Sequence, residues 1–380
     1  MKILFVTPYY KPSFIFGGPV NSVSKLAESI INIDNIDLEV YTTNANGLKN
    51  LDQKTNNSTI VDGVKVKYFK RYFANNSFFI SPALSMALLR SIRKYDIIHV
   101  NMWWNWVSII SALIAIIFGK KVVISPRGSI TEYIINYKNS KLKKLIHQSI
   151  GEWILKKSHF HLTSNVELND TKKITPVNSY DIIYNLIDLP ILKGVKKRRD
   201  SEGTFTMIFM SRVHEKKGIE LLLNSLALIE SPILLKIAGD GEKEYVEKLK
   251  GLILELGITS KVEWLGWLDN RRKFDELMKS DLFVLTSYNE NFANVVVEAL
   301  YASTPVLVTN EVGLSDFVQH NGLGWTTESN VAAITETIKL ILGQVEIHNN
   351  IIEKSQDIVL ATFTPRQLAN EYVNMYKSIS

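Results

Sequence analysis

Two glutamates stand out in the stretch SYNENFANVVVEAL, residues 287–300, because the side chains between them are small, apolar or amide. Glu290 precedes a predicted helix that starts near Asn294, and Glu298 lies in the first turns of that helix. Carboxylates accept hydrogen bonds from vicinal hydroxyls in pairs, which is the chemistry of binding ribose and hexose. Spacing alone leaves an alternative open, in which Glu298 is an acid at the edge of the core with a basic partner.

A cluster of cations lies in SRVHEKKGIELLL, residues 211–223. Arg212 closes a predicted strand, Lys217 comes five residues later, and Gly218 lets the chain turn into a helix. Fixed positive charge and free N–H groups at a helix N-terminus together suit a diphosphate. Taken alone, the segment favours the alternative, a pair of solvated bases on a polar loop.

Backbone groups at two strand ends complete the candidate site. With Asn294 as the N-cap of its helix, the N–H groups of Val295 and Val296 are free to point beyond the sheet. The segment AGDG ends another predicted strand, and its Gly239 allows a nucleobase or ribose to approach the backbone closely. An ordinary Asp-Gly turn is the alternative for this segment.

Short apolar segments alternate with helical patterns along the whole chain, and these elements must position the candidate residues. The alternation predicts an α/β fold with two doubly wound Rossmann-like domains and a cleft between them. Ligands of such sheets bind beyond the carboxyl ends of the strands. The predicted strands are KILFVTP, LEVYTTN, KVKYF, YDIIHVN, KVVISP and FHLTS in the first half, and FTMIFMS, LLKIAG, KVEWLGW, DLFVLTS and TPVLVTN in the second.

The length of 380 residues predicts two domains. We expect an N-terminal Rossmann-like domain at residues 1–190, a polar and basic linker at 191–203, and a C-terminal Rossmann-like domain at 204–363. A turn signal at Thr364-Pro365 precedes a predicted helix, residues 364–380, which we expect to pack back on the N-terminal domain.

Several classes of protein are unlikely on composition and motifs. The chain has no cysteine, which excludes disulfides, thiolate zinc sites and iron–sulfur clusters and fits a reducing cytoplasm. No Gly-x-Gly-x-x-Gly follows the first strand, which argues against a nicotinamide dehydrogenase. His159 and His161 share one face of a predicted strand, but without a third ligand they do not predict a metal site.

Two apolar segments could in principle enter or contact a membrane. The N-terminus MKILFVTPYY lacks the layout of a signal peptide. The uninterrupted apolar part of NMWWNWVSIISALIAIIFGKK is about 13 residues, short of the roughly 20 that span a bilayer. Since it lies between two predicted strands, we expect a buried crossover helix, with an interfacial membrane contact as the alternative.

Charge is distributed unevenly. Residues 1–200 carry an excess of 14 positive charges, whereas the remainder carries an excess of 8 negative charges. Basic and apolar residues interleave in YKNSKLKKLIHQSIGEWILKK, which fits an anionic bilayer surface as well as a solvated helix face. No nucleic-acid-binding motif is present, so we expect no nucleic acid partner. The lysines proposed to face the membrane are Lys138, Lys141, Lys143 and Lys144.

The order of these motifs resembles the family 4 retaining glycosyltransferases, which have the two-domain GT-B architecture. Glu290 and Glu298 match the E-x7-E signature of that family, and SRVHEKKGIELLL matches its Arg…Lys-Gly diphosphate motif. YYKPSFIFGGPVNSVSKLAESI resembles its N-terminal glycine-glycine loop. VVISPRGSI resembles the acceptor-side loop of a subgroup that builds polysaccharides.

The resemblance implies roles for individual residues. Arg212 and Lys217 bind the diphosphate and, with Glu290, form the catalytic set; Glu290 contacts the transferred sugar and Glu298 the ribose. The donor also meets Gly239 and a backbone run at Phe292, Ala293, Asn294 and Val295. On the acceptor side the candidates are Gly17, Gly18, Arg127 and Gly128. Apart from the resemblance, His99 at the end of YDIIHV is the best histidine candidate for the cleft, and a histidine satisfied by its neighbours is the alternative.

Three positions depart from the family pattern and put loop geometry in question. The usual Pro-Asn-Gly before the linker is Tyr184-Asn185-Leu186 here. The glycine usual after Phe292 is Ala293, and the glycine usual near position 303 is Ser303. None of these changes removes a charged group.

The resemblance implies a retaining hexosyltransferase that uses a UDP- or GDP-sugar and a lipid-linked saccharide acceptor in capsule or O-antigen synthesis. We expect no cofactor and no metal, because no Asp-x-Asp triplet is present to chelate one beside the diphosphate. Expected localisation is cytoplasmic, with peripheral membrane association left open. The rival functions are a GT-B-fold nucleotide-sugar epimerase and a non-catalytic donor-binding scaffold for a partner transferase.

Overall fold

The chain forms two compact units in a computed structural model that describes residues 1–73, 78–136, 140–192 and 203–380. Unit 1 comprises Met1–Asp188 and Phe363–Ser380, and unit 2 comprises Leu189–Thr362. The predicted linker, residues 191–203, lies almost wholly outside the described residues.

Unit 1 is built on a large, mostly parallel sheet. The strands of unit 1 are β1 (Lys2–Thr7), β2 (Asp37–Thr43), β3 (Ala45–Asn46), β4 (Lys49–Asn50), β5 (Ser58–Val61), β6 (Val64–Phe69), β7 (Ile97–Asn101), β8 (Lys121–Ser125), β9 (His159–Leu162) and β10 (Tyr180–Ile182). Of these, β3 and β4 pair with each other in a separate antiparallel sheet. Across the described residues the main sheet runs in the order β10-β9-β8-β7-β1-β2-β6-β5, and β5 is antiparallel to β6. The helices are α1 (Gly18–Ile30), α2 (Pro82–Ser91), α3 (Trp106–Ile117), α4 (Glu132–Asn136), α5 (Ser140–Ile146), α6 (Glu152–Lys156) and α7 (Asn165–Ile174).

Unit 2 is a smaller doubly wound sheet whose paired strands are all parallel within the described residues. The strands follow the order β13-β12-β11-β14-β15-β16. They are β11 (Phe205–Met210), β12 (Ile233–Ala238), β13 (Val262–Gly266), β14 (Leu282–Leu285), β15 (Val306–Thr309) and β16 (Gly324–Thr327). The helices are α8 (Ile219–Ala227), α9 (Lys243–Glu255), α10 (Asn270–Lys279), α11 (Asn294–Tyr301), α12 (Ser315–His320), α13 (Val331–Gly343) and α14 (Val345–Thr362).

The strands that the sequence predicted are present in both units, which confirms the α/β class with two Rossmann-like sheets. Strands such as β14 and β15 are buried along their whole length because helices cover both faces of a parallel sheet. The apolar segment after β7 is confirmed as the buried crossover helix α3, whose N-cap Asn105 accepts a hydrogen bond from the Ser108 N–H at 2.9 Å. Across the described ranges no helix has the length and apolarity needed to cross a bilayer.

A last helix, α15 (Pro365–Ile379), returns to unit 1 and packs beside α1, as predicted. Its Tyr376 hydroxyl lies 2.6 Å from His99 Nδ1, and its Tyr372 hydroxyl lies 2.8 Å from His161 Nε2. Both histidines also contact the Ser125 hydroxyl, each at 2.6 Å. These bonds tie the last helix to the middle of the unit 1 sheet.

The buried histidines predict that the protein loses stability in mild acid. Burial lowers the pKa of His161 to about 3 and that of His99 well below its ordinary value. Because the unfolded chain binds protons near pH 6.5 and the folded chain does not, stability falls as the pH drops below that value. We expect the free energy of unfolding to fall by about 1–3 kcal/mol per pH unit between pH 6 and 5, measured by urea denaturation.

The control for this prediction is a second histidine. Replacing the exposed His320 by Asn should leave the pH dependence unchanged, whereas His161→Asn should make it shallower. Equal slopes in the wild type and His161→Asn would show that the buried histidine is not responsible.

Candidate functional site

Three loops at the carboxyl edge of the unit 2 sheet are hydrogen-bonded to one another. The Val213 N–H donates to Asp240 O at 2.9 Å, which joins the loops after β11 and β12. The Tyr288 N–H donates to Lys216 O at 3.0 Å, which joins the loops after β14 and β11. Residues far apart in sequence are thereby held at one edge of the sheet.

Two glycines make this close approach of backbones possible. Gly218 has φ +59, and a Cβ there would lie 2.2 Å from Thr286 O. Gly239 has φ +136, and a Cβ there would lie 1.8 Å from Ser211 O. Glycine is therefore required at both positions, by the positive φ of the backbone and by the close approach of a neighbouring carbonyl oxygen. The Thr286 hydroxyl donates to Gly218 O at 2.8 Å and fixes the start of α8.

Lys217 and Glu290 meet at this edge. The Lys217 ammonium donates to Glu290 Oε2, and only 14% of the lysine side chain and 21% of the glutamate side chain are exposed. The Glu290 backbone is fixed as well, because its N–H donates to Glu311 O at 3.0 Å and its carbonyl accepts from Gly313 N at 2.8 Å. Its other oxygen, Oε1, has no hydrogen-bond partner among the described residues.

The electrostatics of the loop favour an anion. Burial raises the pKa of Glu290, but the ion pair with Lys217 and the nearby charges of Lys216 and Arg212 outweigh it, so the pKa is lowered. Arg212 is exposed and makes no hydrogen bond or ion pair within the described part of the chain. One cation thus orients the carboxylate, and another remains available to a ligand.

Glu298 lies in the second turn of α11 and has a basic partner. Lys273 of α10 donates to Glu298 Oε1 at 2.7 Å, and 17% and 14% of the two side chains are exposed. Glu298 therefore has the basic partner that the alternative interpretation, an acid at the edge of the core, required. This contact does not decide the role, since Oε2 of Glu298 makes no hydrogen bond among the described residues.

Helix α11 begins one residue earlier than the N-cap assignment assumed. Asn294 is its first residue and Ala293 is the N-cap, so the prediction of Asn294 as the cap is wrong. Ala293 has φ +69, a left-handed conformation that turns the chain sharply after the buried Phe292. As the first residues of the helix, Asn294 and Val295 have N–H groups without an acceptor in a preceding turn.

The left-handed conformation of Ala293 predicts that Ala293→Gly stabilises the protein. A non-glycine residue in this region costs about 1 kcal/mol, and the same holds for Ser303, whose φ is +57. We expect each glycine variant to raise the free energy of unfolding by about 0.5–1 kcal/mol in urea denaturation. Ala299→Gly, in the interior of α11, is the control and should lower it by about 1 kcal/mol. Equal losses for Ala293→Gly and Ala299→Gly would contradict the assigned conformation.

On unit 1, the glycine-glycine loop leads into α1. Gly17 is the N-cap of α1, with φ +72, and Gly18 is its first residue. A Cβ added to either glycine would meet nothing within 4 Å. The two glycines therefore border open space, which leaves room for a ligand at this helix N-terminus.

The loop after β8 is held by polar contacts inside unit 1. The Arg127 guanidinium donates to Asn101 Oδ1 at 2.9 Å and to Asn185 Oδ1 at 2.8 Å. The Gly128 N–H donates to Glu167 Oε1 at 2.8 Å. Burial raises the pKa of Glu167 despite these hydrogen bonds. Arg127 is thus fixed in place by the chain, and its contact with an acceptor remains a proposal.

The prediction that His99 contacts the acceptor is wrong. His99 is fully buried in β7, and both ring nitrogens are bonded, to Tyr376 and to Ser125. Its neighbours β1 and β8 flank it on both sides in the sheet. A residue of a central strand with all its polar atoms satisfied has no group left for a ligand.

The basic segment is exposed only in part. Lys141 and Lys144 are exposed, whereas Lys143 donates to Ile134 O at 2.7 Å and burial lowers its pKa. Lys138 lies outside the described residues. Apolar side chains share the surface of α5, the following turn and α6: Leu142, Leu145, Ile150 and Trp153 are between 37% and 63% exposed.

Sequence reasoning missed the partner of Glu298. Lys273 is 25 residues upstream in a helix of mixed charge, so no local pattern marks it. Sequence reasoning also missed Thr286, because a threonine that ends a buried strand gives no signal of its own. Among the described residues no three His, Asp or Glu side chains come together as metal ligands.

Two family models match adjacent parts of the chain. The model described as Glycosyltransferase Family 4 matches residues 16–190, and the model described as Glycosyl transferases group 1 matches residues 193–357. Together they leave out only the two ends and a short junction.

Curated proteins match over shorter stretches. The chain is 30% identical over 219 residues to the uncharacterized glycosyltransferase MJ1607 of Methanocaldococcus jannaschii, covering 53% of this chain and 55% of the relative. It is 26% identical over 170 residues to the lipopolysaccharide core biosynthesis glycosyltransferase LpsE of Rhizobium meliloti, covering 44% and 48%. The alignments therefore span about half the length of these relatives.

The fold is similar to that of a solved protein with bound UDP and glucose. Alr3699/HepE of Anabaena, in complex with UDP and glucose, superposes with a TM-score of 0.74 over 100% of both chains at 19% identity. At this identity the similarity concerns the fold alone.

Proposed function

Because the chain belongs to family 4 of the glycosyltransferases, a family of retaining hexosyltransferases, we propose that it transfers a hexose from a UDP- or GDP-sugar to a saccharide acceptor. The observation that supports this most directly is the Lys217–Glu290 pair beside the unpaired Arg212. It offers cations for a diphosphate and an oriented carboxylate for sugar hydroxyls within one loop cluster.

Unit 2 binds the donor in this proposal. Arg212, Lys217 and the N-terminus of α11 hold the diphosphate, because fixed charge and free N–H groups both favour an anion there. Glu290 accepts hydrogen bonds from the transferred hexose through Oε1, while Oε2 stays with Lys217. Glu298 accepts from the ribose, and Gly239 leaves space for the nucleoside.

Transfer proceeds with retention, as the family implies. The acceptor hydroxyl oxygen bonds to the anomeric carbon on the face from which the phosphate oxygen departs, and the departing phosphate takes the hydroxyl proton. The cations of the loop stabilise the charge that develops on the nucleoside diphosphate. No protein base is needed, and no residue is assigned as one.

Unit 1 binds the acceptor in this proposal. The space around Gly17 and Gly18, and the loop of Arg127 and Gly128, are the candidate contacts. LpsE is named for lipopolysaccharide core biosynthesis, which supports a cell-surface polysaccharide as the product and a lipid-linked saccharide as the acceptor.

Donor turnover without acceptor tests the proposed reaction. The protein is incubated with UDP- and GDP-hexoses, and the products are separated by chromatography. Slow release of nucleoside diphosphate and free hexose supports a transferase. Isomerised donor would instead show an epimerase, and unchanged donor together with no shift in melting temperature on adding UDP or GDP would contradict a donor site.

The surface around α5 and α6 predicts binding to anionic membranes. Lys141 and Lys144 supply charge, and Leu145, 63% exposed, supplies apolar area that can enter the interface. We expect flotation with vesicles rich in phosphatidylglycerol but not with pure phosphatidylcholine. The Lys141→Glu/Lys144→Glu and Leu145→Glu variants should lose this binding.

A charge-matched control separates a specific surface from net charge. Lys243→Glu/Lys248→Glu, on α9 of unit 2, changes net charge equally and should float as the wild type does. Equal flotation on neutral and anionic vesicles, or equal loss in the control variant, would rule out this surface as the site.

A further inference from the structure

Lys273 fixes the carboxylate of Glu298. Its ammonium is 2.7 Å from Oε1, and the pair is largely removed from water, with 17% and 14% of the side chains exposed. A partly buried ion pair of this kind gains little stability overall, because desolvation offsets most of the attraction. The contribution of this pair to stability is therefore small.

Helix α10 holds Lys273 rigidly against α11. The N-cap Asp269 accepts a hydrogen bond from the Arg272 N–H at 2.9 Å. The next residue after Lys273, Phe274, is buried and packs edge-on against Tyr301 of α11, with ring centroids 6.2 Å apart. The lysine is thus placed by packed secondary structure on both sides of the pair.

Glu298 and Glu290 are built alike. In each, one carboxylate oxygen accepts from a lysine and the other makes no hydrogen bond among the described residues. The lysine fixes one oxygen of the carboxylate, and the other oxygen is left able to accept a hydrogen bond from a ligand hydroxyl. A freely rotating carboxylate would have to lose that freedom on binding.

A third Lys–Glu pair in unit 2 shows the contrasting, structural arrangement. Glu276, also on α10, accepts from Lys236 at 2.7 Å and from Lys279 at 3.0 Å, so that both its oxygens are occupied. Its exposure, 16%, is close to that of Glu298. Burial alone therefore does not leave a carboxylate oxygen without a hydrogen bond, and Glu298 differs from Glu276 in having such an oxygen within the described residues.

We propose that Lys273 is a positioning residue for ribose recognition: it orients Glu298 so that Oε2 accepts hydrogen bonds from the ribose hydroxyls of the nucleoside diphosphate. The inference rests on the proposed role of Glu298 in donor binding. The inference adds Lys273 of α10 to the donor site. It implies that the preference for a ribonucleotide over a nucleotide without the ribose hydroxyls depends on Lys273.

Calorimetric titration with hydroxyl-deleted nucleotides tests this role. The probes are UDP and GDP, each beside its 2′,3′-dideoxy form, and the readout is the ratio of the two affinities. We expect the wild type to prefer the ribonucleotide by about tenfold or more, since hydrogen bonds to a charged group are strong. Lys273→Met should reduce the ratio to about two, by weakening the ribonucleotide and leaving the dideoxy form nearly unchanged.

Three further variants make the result specific. Lys273→Arg keeps a donor and should restore most of the preference. Lys236→Met removes the β12 lysine that pairs with Glu276 of α10 and should keep the wild-type ratio. Glu298→Gln should lose the preference as Lys273→Met does. A merely structural role of Lys273 would lower both affinities together and leave their ratio unchanged.

The outcomes separate this inference from the proposed function. If Glu298→Gln loses the preference and Lys273→Met keeps it, Glu298 binds ribose but Lys273 does not position it, and the inference is overturned. If the wild type shows no preference, the roles of Glu298 and Lys273 are overturned together. If neither UDP nor GDP binds, the donor site itself is overturned.

Discussion

Glu290→Gln is expected to lower the rate of donor turnover by about 100- to 1,000-fold, the typical cost of removing one oriented group from a transition state. The amide keeps the shape of the side chain but loses the charge that Lys217 holds in place. Because Glu290 contacts the hexose in the proposed complex, the affinity for UDP or GDP alone should change little. The measurement is release of nucleoside diphosphate from the hexose donor, beside calorimetric titration of the nucleotide.

Lys217→Met supplies the contrasting result. It removes a cation from the diphosphate, so the affinity for the nucleoside diphosphate should fall by about tenfold or more along with the rate. Glu276→Gln, which alters a carboxylate of similar exposure with two lysine partners, is the matched control and should keep both rate and affinity. Full turnover by Glu290→Gln would remove Glu290 from the reaction.

Gly239→Ala is expected to cost at least about 3 kcal/mol of folding free energy, among the largest effects of any single substitution in the chain. A Cβ at this position would lie 1.8 Å from Ser211 O, and the neighbour is backbone that cannot rotate away. Since the loops after β11 and β12 are hydrogen-bonded to each other, separating them should also displace Arg212.

Gly251→Ala is the matched control for this prediction. Gly251 lies in α9, and a Cβ there meets nothing within 4 Å. It should raise the free energy of unfolding by about 0.5–1 kcal/mol, because alanine favours the helix. Urea denaturation, followed by tryptophan fluorescence, measures the free energy of unfolding of both variants. A Gly239→Ala protein as stable as the wild type would mean that the two loops do not approach as closely as described.

Much of the fold follows from local pattern. Runs of β-branched residues became the inner strands, and Gly218 marked the start of α8, because a left-handed turn next to a neighbouring backbone admits little else. The short strands β3 and β4 escaped prediction, and so did β5, β10 and β16. The last three lie at the edges of the two main sheets, where exposure weakens the apolar pattern.

The candidate site was predictable as a set of residues and not as a set of contacts. Lys217 and Glu290 are 73 residues apart, and their pairing depends on the order of β11 and β14 in the sheet. The prediction for His99 was wrong for the same reason. The sequence pattern at the end of a strand is the same whether or not a later helix covers that end. Here Tyr376 of α15 covers it.

The cap of α11 shows where a residue type misleads. Asparagine is a common N-cap and alanine is not, so pattern alone favoured Asn294. The close packing of Phe292 and the turn at Ala293 place the cap one residue earlier, at the cost of a strained alanine. Tertiary packing therefore outweighs the local preference for asparagine as the N-cap of α11.

The return of α15 to unit 1 has a consequence for biogenesis. Unit 2 is a single stretch of chain, whereas unit 1 needs Pro365–Ile379 to cover His99 and His161. During translation, unit 1 therefore cannot complete its fold until the last helix has been made, after the whole of unit 2. A chain that stops before Pro365 lacks the two tyrosines that contact these histidines.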